Sequence, residues 1–167
     1  MRWIELGGPS VDDLIDPRGY LAALPAIVEH LSAGARAWAT DPDHYNLAGP
    51  RCIKDLWVAD LRFTLATAGD EAHETLELLL RHNCFKHEED LRITYRGVSR
   101  FSADGDGTGV LGFRQVILDE VLPHAEGCSH EIGFRGGALT VIATDLTATW
   151  TPAVCPERRL NGKGVIG

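Results

Sequence analysis

The sequence lacks any apolar run long enough to cross a membrane. A spanning helix needs about 20 consecutive apolar residues, whereas the longest apolar run here is LELLL at residues 76–80, which contains a glutamate. The N-terminal stretch MRWIELGGPSVDD turns acidic too early for a secretory signal. These absences predict a cytoplasmic protein with no membrane partner.

Basic segments are also absent. The 167 residues carry a net charge of −8, and no stretch is basic enough to follow a nucleic-acid phosphate backbone. Direct binding of nucleic acid is therefore disfavoured. An acidic surface of this kind either keeps a protein in solution or meets a basic partner.

Cysteine occurs four times, and no two cysteines form a C-x-x-C pair, which excludes a zinc ribbon and a thioredoxin-type motif. In a reducing cytoplasm thiols stay unpaired, and a buried cysteine behaves as a small apolar residue. We therefore expect four free thiols, at Cys52, Cys84, Cys128 and Cys155.

Recognisable catalytic motifs are missing as well. The sequence holds no G-x-S-x-G, H-E-x-x-H or P-loop pattern. DGDGTGVLGFRQ at residues 104–115 follows the early positions of a calcium loop, but Gln115 stands where a bidentate carboxylate is required. Asp119 and Glu120 are neighbours on a predicted strand and point to opposite faces, so they cannot work as an acid–base pair. His130 is expected to be a hydrogen-bonded core residue. No catalytic residue and no cofactor are predicted.

The N-terminal part has helical periodicity. In DPRGYLAALPAIVEHLSAGARAWATDPDHY, apolar residues recur at spacings of three and four. Pro25 predicts a break between a short helix near 17–23 and a longer one near 25–39, and Gly34 is expected to weaken the longer helix.

After residue 50 the apolar period changes to two, as in a strand buried on one face. This holds in LRITYRGVSRF and CSHEIGF, and residues 116–122 and 128–135 read as a hairpin. In ALTVIATDLTATW the alternation slips between Val141 and Leu146, which predicts a bulge or a strand break. DEAHETLELLLRHN fits a helix and a strand equally well.

Together these patterns predict one α+β domain over residues 1–150. Helices within 11–40 are expected to pack on an antiparallel sheet of about six strands within 52–150. Residues 151–167, with two prolines and three glycines, are predicted to form a loosely ordered tail.

The stretch HNCFKH at residues 82–87 concentrates metal-ligand side chains. A catalytic zinc usually has three protein ligands and a water. His82, Cys84 and His87 could supply the three protein ligands. The alternative is a polar connection between strands, with Cys84 and Phe85 packed against the core. The metal interpretation would make the protein a small hydrolase or a metal-dependent enzyme.

From Cys52 onward the order of motifs resembles a known family. CIKDLWVADLRFTL, TLELLLRHN, DLRITYRGVSRF, VILDEVL and LTVIATDLTATW follow one another in a way that is similar to small bacterial immunity proteins of polymorphic toxin systems. The match spans roughly residues 52–150. Lys54-Asp55 replaces the usual His-Asp of the family, and the N-terminal part is unmatched. The resemblance implies that 54–65 and 75–82 are paired strands.

The resemblance also implies a function, namely inhibition of a toxin through an acidic surface that fills a basic cleft. The candidate partner-binding residues are Glu88, Glu89, Asp90, Asp104 and Asp106. We therefore predict a non-enzymatic binding protein whose partner is another protein, such as a basic toxin domain. The alternatives are the enzyme described above and a structural or interaction domain. The sequence leaves the partner's identity and the oligomeric state open.

An arginine row on the exposed side of the strand 91–101 could be a further surface feature. Arg92, Arg96 and Arg100 are spaced four apart, and Glu77 on a neighbouring strand is predicted to neutralise part of the row by cross-strand pairing.

Overall fold

The structure, a computed structural model, describes residues 1–4, 16–68, 71–105 and 115–155, with the side chains of 66–68 and 71–73 left out. Two α-helices, a 3₁₀ turn and six strands lie within these residues. They are α1 Arg18–Ile27, the 3₁₀ turn Val28–His30, α2 Ala33–Ala39, β1 Trp57–Ala68, β2 Glu71–Arg81, β3 Glu89–Gly105, β4 Val116–His124, β5 Gly127–Phe134 and β6 Gly137–Pro152.

The six strands form one antiparallel sheet in the order β1-β2-β3-β6-β5-β4. The predicted six-stranded antiparallel sheet is thus confirmed, as are the strand assignment of 75–82 and its pairing with the strand before it. The N-terminal position of the helices is confirmed too, although both helices are short. β6, the last of the described strands, lies in the middle of the sheet beside β3.

The two edges of the sheet meet at one point. The amide of Asp55 donates to the carbonyl of Val116, and the amide of Val116 donates to the carbonyl of Leu56, each at 2.9 Å. A further bridge joins Trp57 to Gln115. Asp55 adopts a left-handed backbone with φ of 75°, a conformation that Asp tolerates better than most residues. The sheet is therefore strongly curled.

One face of the sheet supplies most of the core. The buried residues Leu76, Leu78 and Leu80 of β2 alternate with half-buried residues. In the first part of β3, buried apolar residues alternate with more exposed polar ones. This is the period-two pattern read from the sequence. The fully buried side chains in these two strands are Leu76, Leu78, Leu80, Leu91, Ile93 and Tyr95.

The predicted change of parity in the last strand is confirmed, but the extra residue of the bulge belongs to its partner strand β3. β6 is continuous, but its pairing with β3 shifts between Val98 and Arg100. The buried side of β6 changes parity between Ala143 and Leu146. Gly97 of β3 lies at this bend with φ of 61°, and a Cβ there would overlap the hydroxyl of Thr144. Only glycine fits this position without strain.

The outer bounds of the two predicted helices, near 17 and near 39, agree with the structure, but the break between them was placed wrongly. α1 runs through Pro25 and ends at Ile27, because a proline near the end of a short helix removes only one hydrogen bond. The break comes later, at Leu31, which is extended with ψ of 145°. A new helix, α2, then begins at Ala33.

A carboxylate from the sheet explains why α2 begins there. Asp145 of β6 accepts hydrogen bonds from the Ser32 hydroxyl at 2.7 Å, from the Gly34 amide at 3.0 Å and from the Ala35 amide at 2.9 Å. Burial acts to raise the pKa of Asp145, but these hydrogen bonds outweigh it and the pKa is lowered. The free amides at the start of α2 are thus satisfied by a residue 110 positions away.

The first two residues of the predicted tail, Thr151 and Pro152, belong to the sheet. β6 continues to Pro152, and the amide of Ala153 donates to the carbonyl of Glu88 at 3.0 Å. Residues 156–167 and 11–15, which belong to the predicted tail and helical part, lie outside the described residues. Among the described helices, none has the length and apolar character to cross a membrane.

Candidate functional site

The HNCFKH segment forms a tight turn between β2 and β3, here called the 82–88 turn. Asn83 organises it. Its backbone carbonyl accepts from the amides of Lys86 at 3.0 Å and His87 at 2.8 Å. Its side-chain oxygen accepts from the amide of Phe85 at 3.1 Å. Asparagine favours such turns because its side chain can bond the backbone two residues on.

His87 anchors one end of the turn in the interior. Its Nε2 lies 2.9 Å from the carbonyl oxygen of Cys52, and its Nδ1 accepts the amide proton of Asn83 at 3.2 Å. Since a carbonyl only accepts, Nε2 carries the proton and the ring is neutral. Burial is the main cause that lowers the pKa of His87. Both ring nitrogens are therefore occupied within the protein.

His82 anchors the other end. Its Nδ1 lies 2.7 Å from Oδ1 of Asp90, and its backbone amide donates to the same oxygen at 2.8 Å. The adjacent Glu89 forms a two-point ion pair with Arg51, at 2.5 and 3.0 Å. Hydrogen bonds from Arg51 lower the pKa of Glu89. Two of the predicted partner-binding residues thus hold the turn in place.

A disulfide closes the turn onto the end of the described chain. Cys84 is bonded to Cys155, with a Cα–Cα distance of 5.7 Å. The prediction of four free thiols was wrong for this pair and is confirmed for Cys52 and Cys128, which are free and buried. The pair meets because β6 ends beside the start of β3, where Glu89 faces Pro152. Such proximity arises from strand pairing and leaves no local trace in the sequence.

Phe85 projects from the tip of the turn. Its side chain is 92% exposed, so the expectation that it packs against the core was wrong. The turn geometry set by Asn83 directs the residue outward. Val154, next to the second cysteine of the disulfide, is 65% exposed. The cross-link therefore carries a large apolar side chain beside each of its two cysteines.

The predicted metal set is assembled differently from expectation. His82, Cys84 and Cys155 form a cluster in which the ligand atoms all lie within 4.8 Å of one another. His87 has no lone pair left for a metal, since Nδ1 already accepts a hydrogen bond. Cys155 takes its place in the cluster.

The predicted acidic surface is divided. Glu88 is exposed at the 82–88 turn, whereas Asp104 is exposed at the far end of β3. Asp90 and Asp104 are separated by 14 residues (104 − 90) of that strand. Asp106 lies outside the described residues. The structure therefore places Glu88, Glu89 and Asp90 together and leaves Asp104 apart from them.

The arginine row is partly neutralised, as predicted. Arg92 donates to a carboxylate oxygen of Glu77 at 3.1 Å across the β2–β3 pair. Arg96 and Arg100 are exposed on the same strand.

The interior contains a second polar cluster, which we call the Asp119 network. Asp119 of β4 accepts from His44 Nε2 at 2.7 Å, from His130 Nε2 at 2.7 Å and from the indole of Trp38 at 3.0 Å. The Tyr95 hydroxyl continues the chain of hydrogen bonds, 2.8 Å from His130 Nδ1. His130 is thus a hydrogen-bonded core residue, as predicted. Asp119, His44 and His130 are fully buried.

Asp119 and Glu120 point to opposite faces, as expected for neighbours on a strand. Glu120 accepts from the backbone amides of Arg2 at 2.5 Å and Trp3 at 2.6 Å. Both carboxylates are buried. Burial acts to raise the pKa of Asp119, but the charge of His44 and the hydrogen bonds from His130 and His44 lower it well below its usual range. The network therefore holds an ionised carboxylate inside the protein.

The comparisons with known proteins add no relative. No protein-family model, curated protein or solved structure matches the chain. The resemblance to immunity proteins therefore stays a prediction.

Sequence reasoning missed three features of these sites. His44 carried no visible signal, because its partner is 75 positions away. Cys155 could only have been suggested by the even number of cysteines. The exposure of Phe85 had a usable signal: the residue stands two positions after a turn-forming asparagine, in a segment that is otherwise polar.

Proposed function

We propose that this chain is a non-enzymatic protein-binding domain that contacts its partner through the 82–88 turn, with Phe85 as the central contact. The observation that carries the proposal is the 92% exposure of Phe85 on a turn held by a disulfide and by a histidine at each end. Aromatic side chains dominate the binding energy of many protein interfaces.

The fixed geometry of the turn favours this use. Ordering a loop or a side chain costs free energy when a complex forms. Here Asn83, His82 and His87 fix the backbone before any partner arrives. Phe85 would therefore lose little conformational freedom on binding beyond that of its own side chain.

Charge supports a basic partner. The chain carries a net charge of −8, and exposed Glu88 lies beside the tip of the turn. An acidic protein gains association rate toward a basic one through long-range attraction. Under the immunity-type resemblance, this partner would be a basic toxin domain whose active cleft is covered by the turn.

The Asp119 network supports a binding role over an enzymatic one. Its ionisable side chains, Asp119, His44 and His130, are fully buried, so a substrate could not reach them without opening the core. Each of their polar atoms facing the network is matched to a protein partner. This is the pattern of a structural cluster.

The proposal includes two finer points about the protein as a whole. We infer that the N-terminal helices cover one face of the sheet, supported by the bonds of Asp145 to the start of α2 and of Trp38 to Asp119. We also propose that the protein acts in the cytoplasm, where the Cys84–Cys155 pair would be kept reduced and the hydrogen bonds of Asn83, His82 and His87 would hold the turn.

A photo-crosslinking experiment tests the proposal. A photoreactive phenylalanine analogue is placed at position 85 of the full chain and, as the matched control, at position 63, where Phe63 is 57% exposed on β1. After irradiation in the source cells, position 85 should give one adduct with a basic protein and position 63 should not. Binding of the purified partner should then weaken as salt is raised.

Three results would contradict the proposal. They are the absence of any adduct from position 85, the same adduct from both positions, and a partner that is acidic or binds equally well at high salt.

A further inference from the structure

The disulfide in the 82–88 turn lies within a set of metal-ligand atoms. His82, Cys84 and Cys155 each place a ligand atom within 4.8 Å of the other two. Zinc–ligand bonds of about 2.0–2.3 Å in a tetrahedron separate the ligand atoms by about 3.5 Å. The backbone already holds the three residues close enough for such a site.

We propose that the reduced form of the protein binds one Zn²⁺ ion through His82, Cys84 and Cys155, with water at the fourth position. Two thiolates and an imidazole form a ligand set that zinc favours over magnesium or calcium. This inference does not depend on the binding partner proposed above.

The surroundings of His82 favour metal binding. The carboxylate of Asp90 accepts from Nδ1 of His82 at 2.7 Å, which assigns the proton to Nδ1 and the lone pair to Nε2. Within the part of the chain that the structure describes, Nε2 has no hydrogen-bond partner. A carboxylate that holds the far nitrogen of a histidine ligand is a common support in zinc sites.

The backbone supports the cluster on both sides. The His82 amide also donates to Asp90, at 2.8 Å, which holds the carboxylate in position to accept from the ring. On the other side, the amide of Ala153 donates to the carbonyl of Glu88, which keeps Cys155 beside the turn. Reduction of the disulfide would therefore leave the two sulfur atoms near each other.

The disulfide form and the zinc-bound form interconvert by steps in which electrons and protons balance. A dithiol transfers two electrons and two protons to the Cys84–Cys155 disulfide; the S–S bond breaks, two thiols form, and the dithiol becomes a disulfide. Binding of Zn²⁺ then displaces both thiol protons to solvent and forms two zinc–sulfur bonds. A disulfide oxidant reverses the redox step and releases the ion. Either cross-link joins the turn to the end of β6.

Cobalt(II) provides the direct test because its tetrahedral thiolate complexes absorb visible light, whereas zinc complexes do not. The full chain is reduced with a phosphine, which takes up the oxygen of water to give a phosphine oxide, and is then titrated with Co²⁺. We expect thiolate–cobalt bands that saturate at one ion per chain, vanish on addition of Zn²⁺ and are absent from the oxidised protein.

Variants assign the ligands. Cys155→Ser and His82→Gln should each remove the tetrahedral spectrum, whereas Cys128→Ala, which alters a buried free thiol, should leave it unchanged. Asp90→Asn should weaken metal affinity by about 10- to 100-fold. Circular dichroism reports whether each variant is folded.

Alkylation of the wild-type protein gives a readout that needs no variant. Zn²⁺ should slow alkylation of Cys84 and Cys155 in the reduced chain and leave the rates at Cys52 and Cys128 unchanged. The proposal is overturned if reduced wild-type protein shows no cobalt bands, if folded Cys155→Ser gives the same bands, or if zinc protects neither Cys84 nor Cys155.

Discussion

His44 and Asp119 form an ion pair in the interior of the protein, with 2.7 Å between Nε2 and the carboxylate and no solvent exposure of either side chain. The other nitrogen of His44 lies 2.9 Å from the carbonyl oxygen of Trp38. Both partners only accept hydrogen bonds, so His44 carries both ring protons. The rings of Trp38 and Tyr45 stack on it at 3.8 and 4.1 Å, where they stabilise a cation.

Removal of the Asp119 charge should destabilise the protein. Asp119→Asn leaves His44 as a buried cation without its counter-charge, which typically costs about 3–5 kcal/mol. Urea unfolding at neutral pH measures the loss. Asp60→Asn, at an exposed ion pair with Arg62, is the control and should change stability by less than about 1 kcal/mol. A loss for Asp119→Asn no larger than that of the control would contradict the ion pair.

The same carboxylate should make stability depend on acid pH. The pKa of Asp119 is lower in the folded chain than in the unfolded chain, so protonation favours unfolding. Its stabilising contribution is complete above the ordinary aspartate pKa of about 4 and is lost as the pH falls below it. The stability difference between wild type and Asp119→Asn should therefore narrow between pH 5 and the acid limit. A constant difference would show that Asp119 does not titrate in this way.

Gly34 should resist substitution although it lies in a helix. Alanine normally stabilises a helix relative to glycine by about 1 kcal/mol. Here a Cβ would overlap the carbonyl oxygen of Leu146, so α2 would have to move away from β6 and from Asp145. We expect Gly34→Ala to cost about 1–3 kcal/mol. Ala37→Gly, at an exposed position of the same helix, should cost about 1 kcal/mol. A stabilising Gly34→Ala would show that the approach is looser than described.

Phe85 should matter for binding and not for folding. Because its side chain is 92% exposed, Phe85→Ala should change the free energy of unfolding by less than about 0.5 kcal/mol. The affinity for the crosslinked partner should fall by at least about tenfold, as for an interface residue worth more than 1 kcal/mol. Phe63→Ala is the matched control and should leave the affinity unchanged. Equal losses from the two variants would place the interface elsewhere.

The disulfide should contribute strongly to stability when no metal is present. It links residues 71 positions apart, and a loop of that size predicts a stabilisation of about 4 kcal/mol from restriction of the unfolded chain. Urea unfolding with and without a phosphine, in the presence of a chelator, measures the effect. The double variant Cys84→Ser/Cys155→Ser should not respond to the phosphine. A wild type that is equally insensitive would argue against the cross-link.

The sheet was predictable because the buried face of each strand can be read from the local alternation of apolar residues. LRITYR at residues 91–96 alternates in sequence and in burial, and the slip of the apolar alternation near Val141 marked the bend of the sheet. The position of the break between α1 and α2 was not predictable, because the start of α2 is set by hydrogen bonds to Asp145 of β6. Local pattern favoured a break at Pro25, and a distant carboxylate decided otherwise.

The candidate site was also predictable only in part, since its location could be read from the sequence and its contacts could not. HNCFKH stood out by its composition, and the predicted acidic residues beside it do form part of the site. Their roles could not be predicted, because Glu89 pairs with Arg51 of a preceding segment and Asp90 pairs with His82. The position of Cys155 depends on the path of β6 back to β3, and the exposure of Phe85 depends on the geometry of the 82–88 turn. Sequence patterns locate such a site, whereas pairing of distant segments determines its chemistry.

The central place of β6 affects how the protein is made. β3 pairs along nearly its whole length with β6, which leaves the ribosome only after the other five strands that the structure describes. Until then β3 presents an unpaired edge, and β1 to β3 and β4 to β5 can form only as separate hairpin units. A pause in translation before residue 137 would prolong this state, so synthesis at low temperature or with a chaperone should raise the yield of native protein.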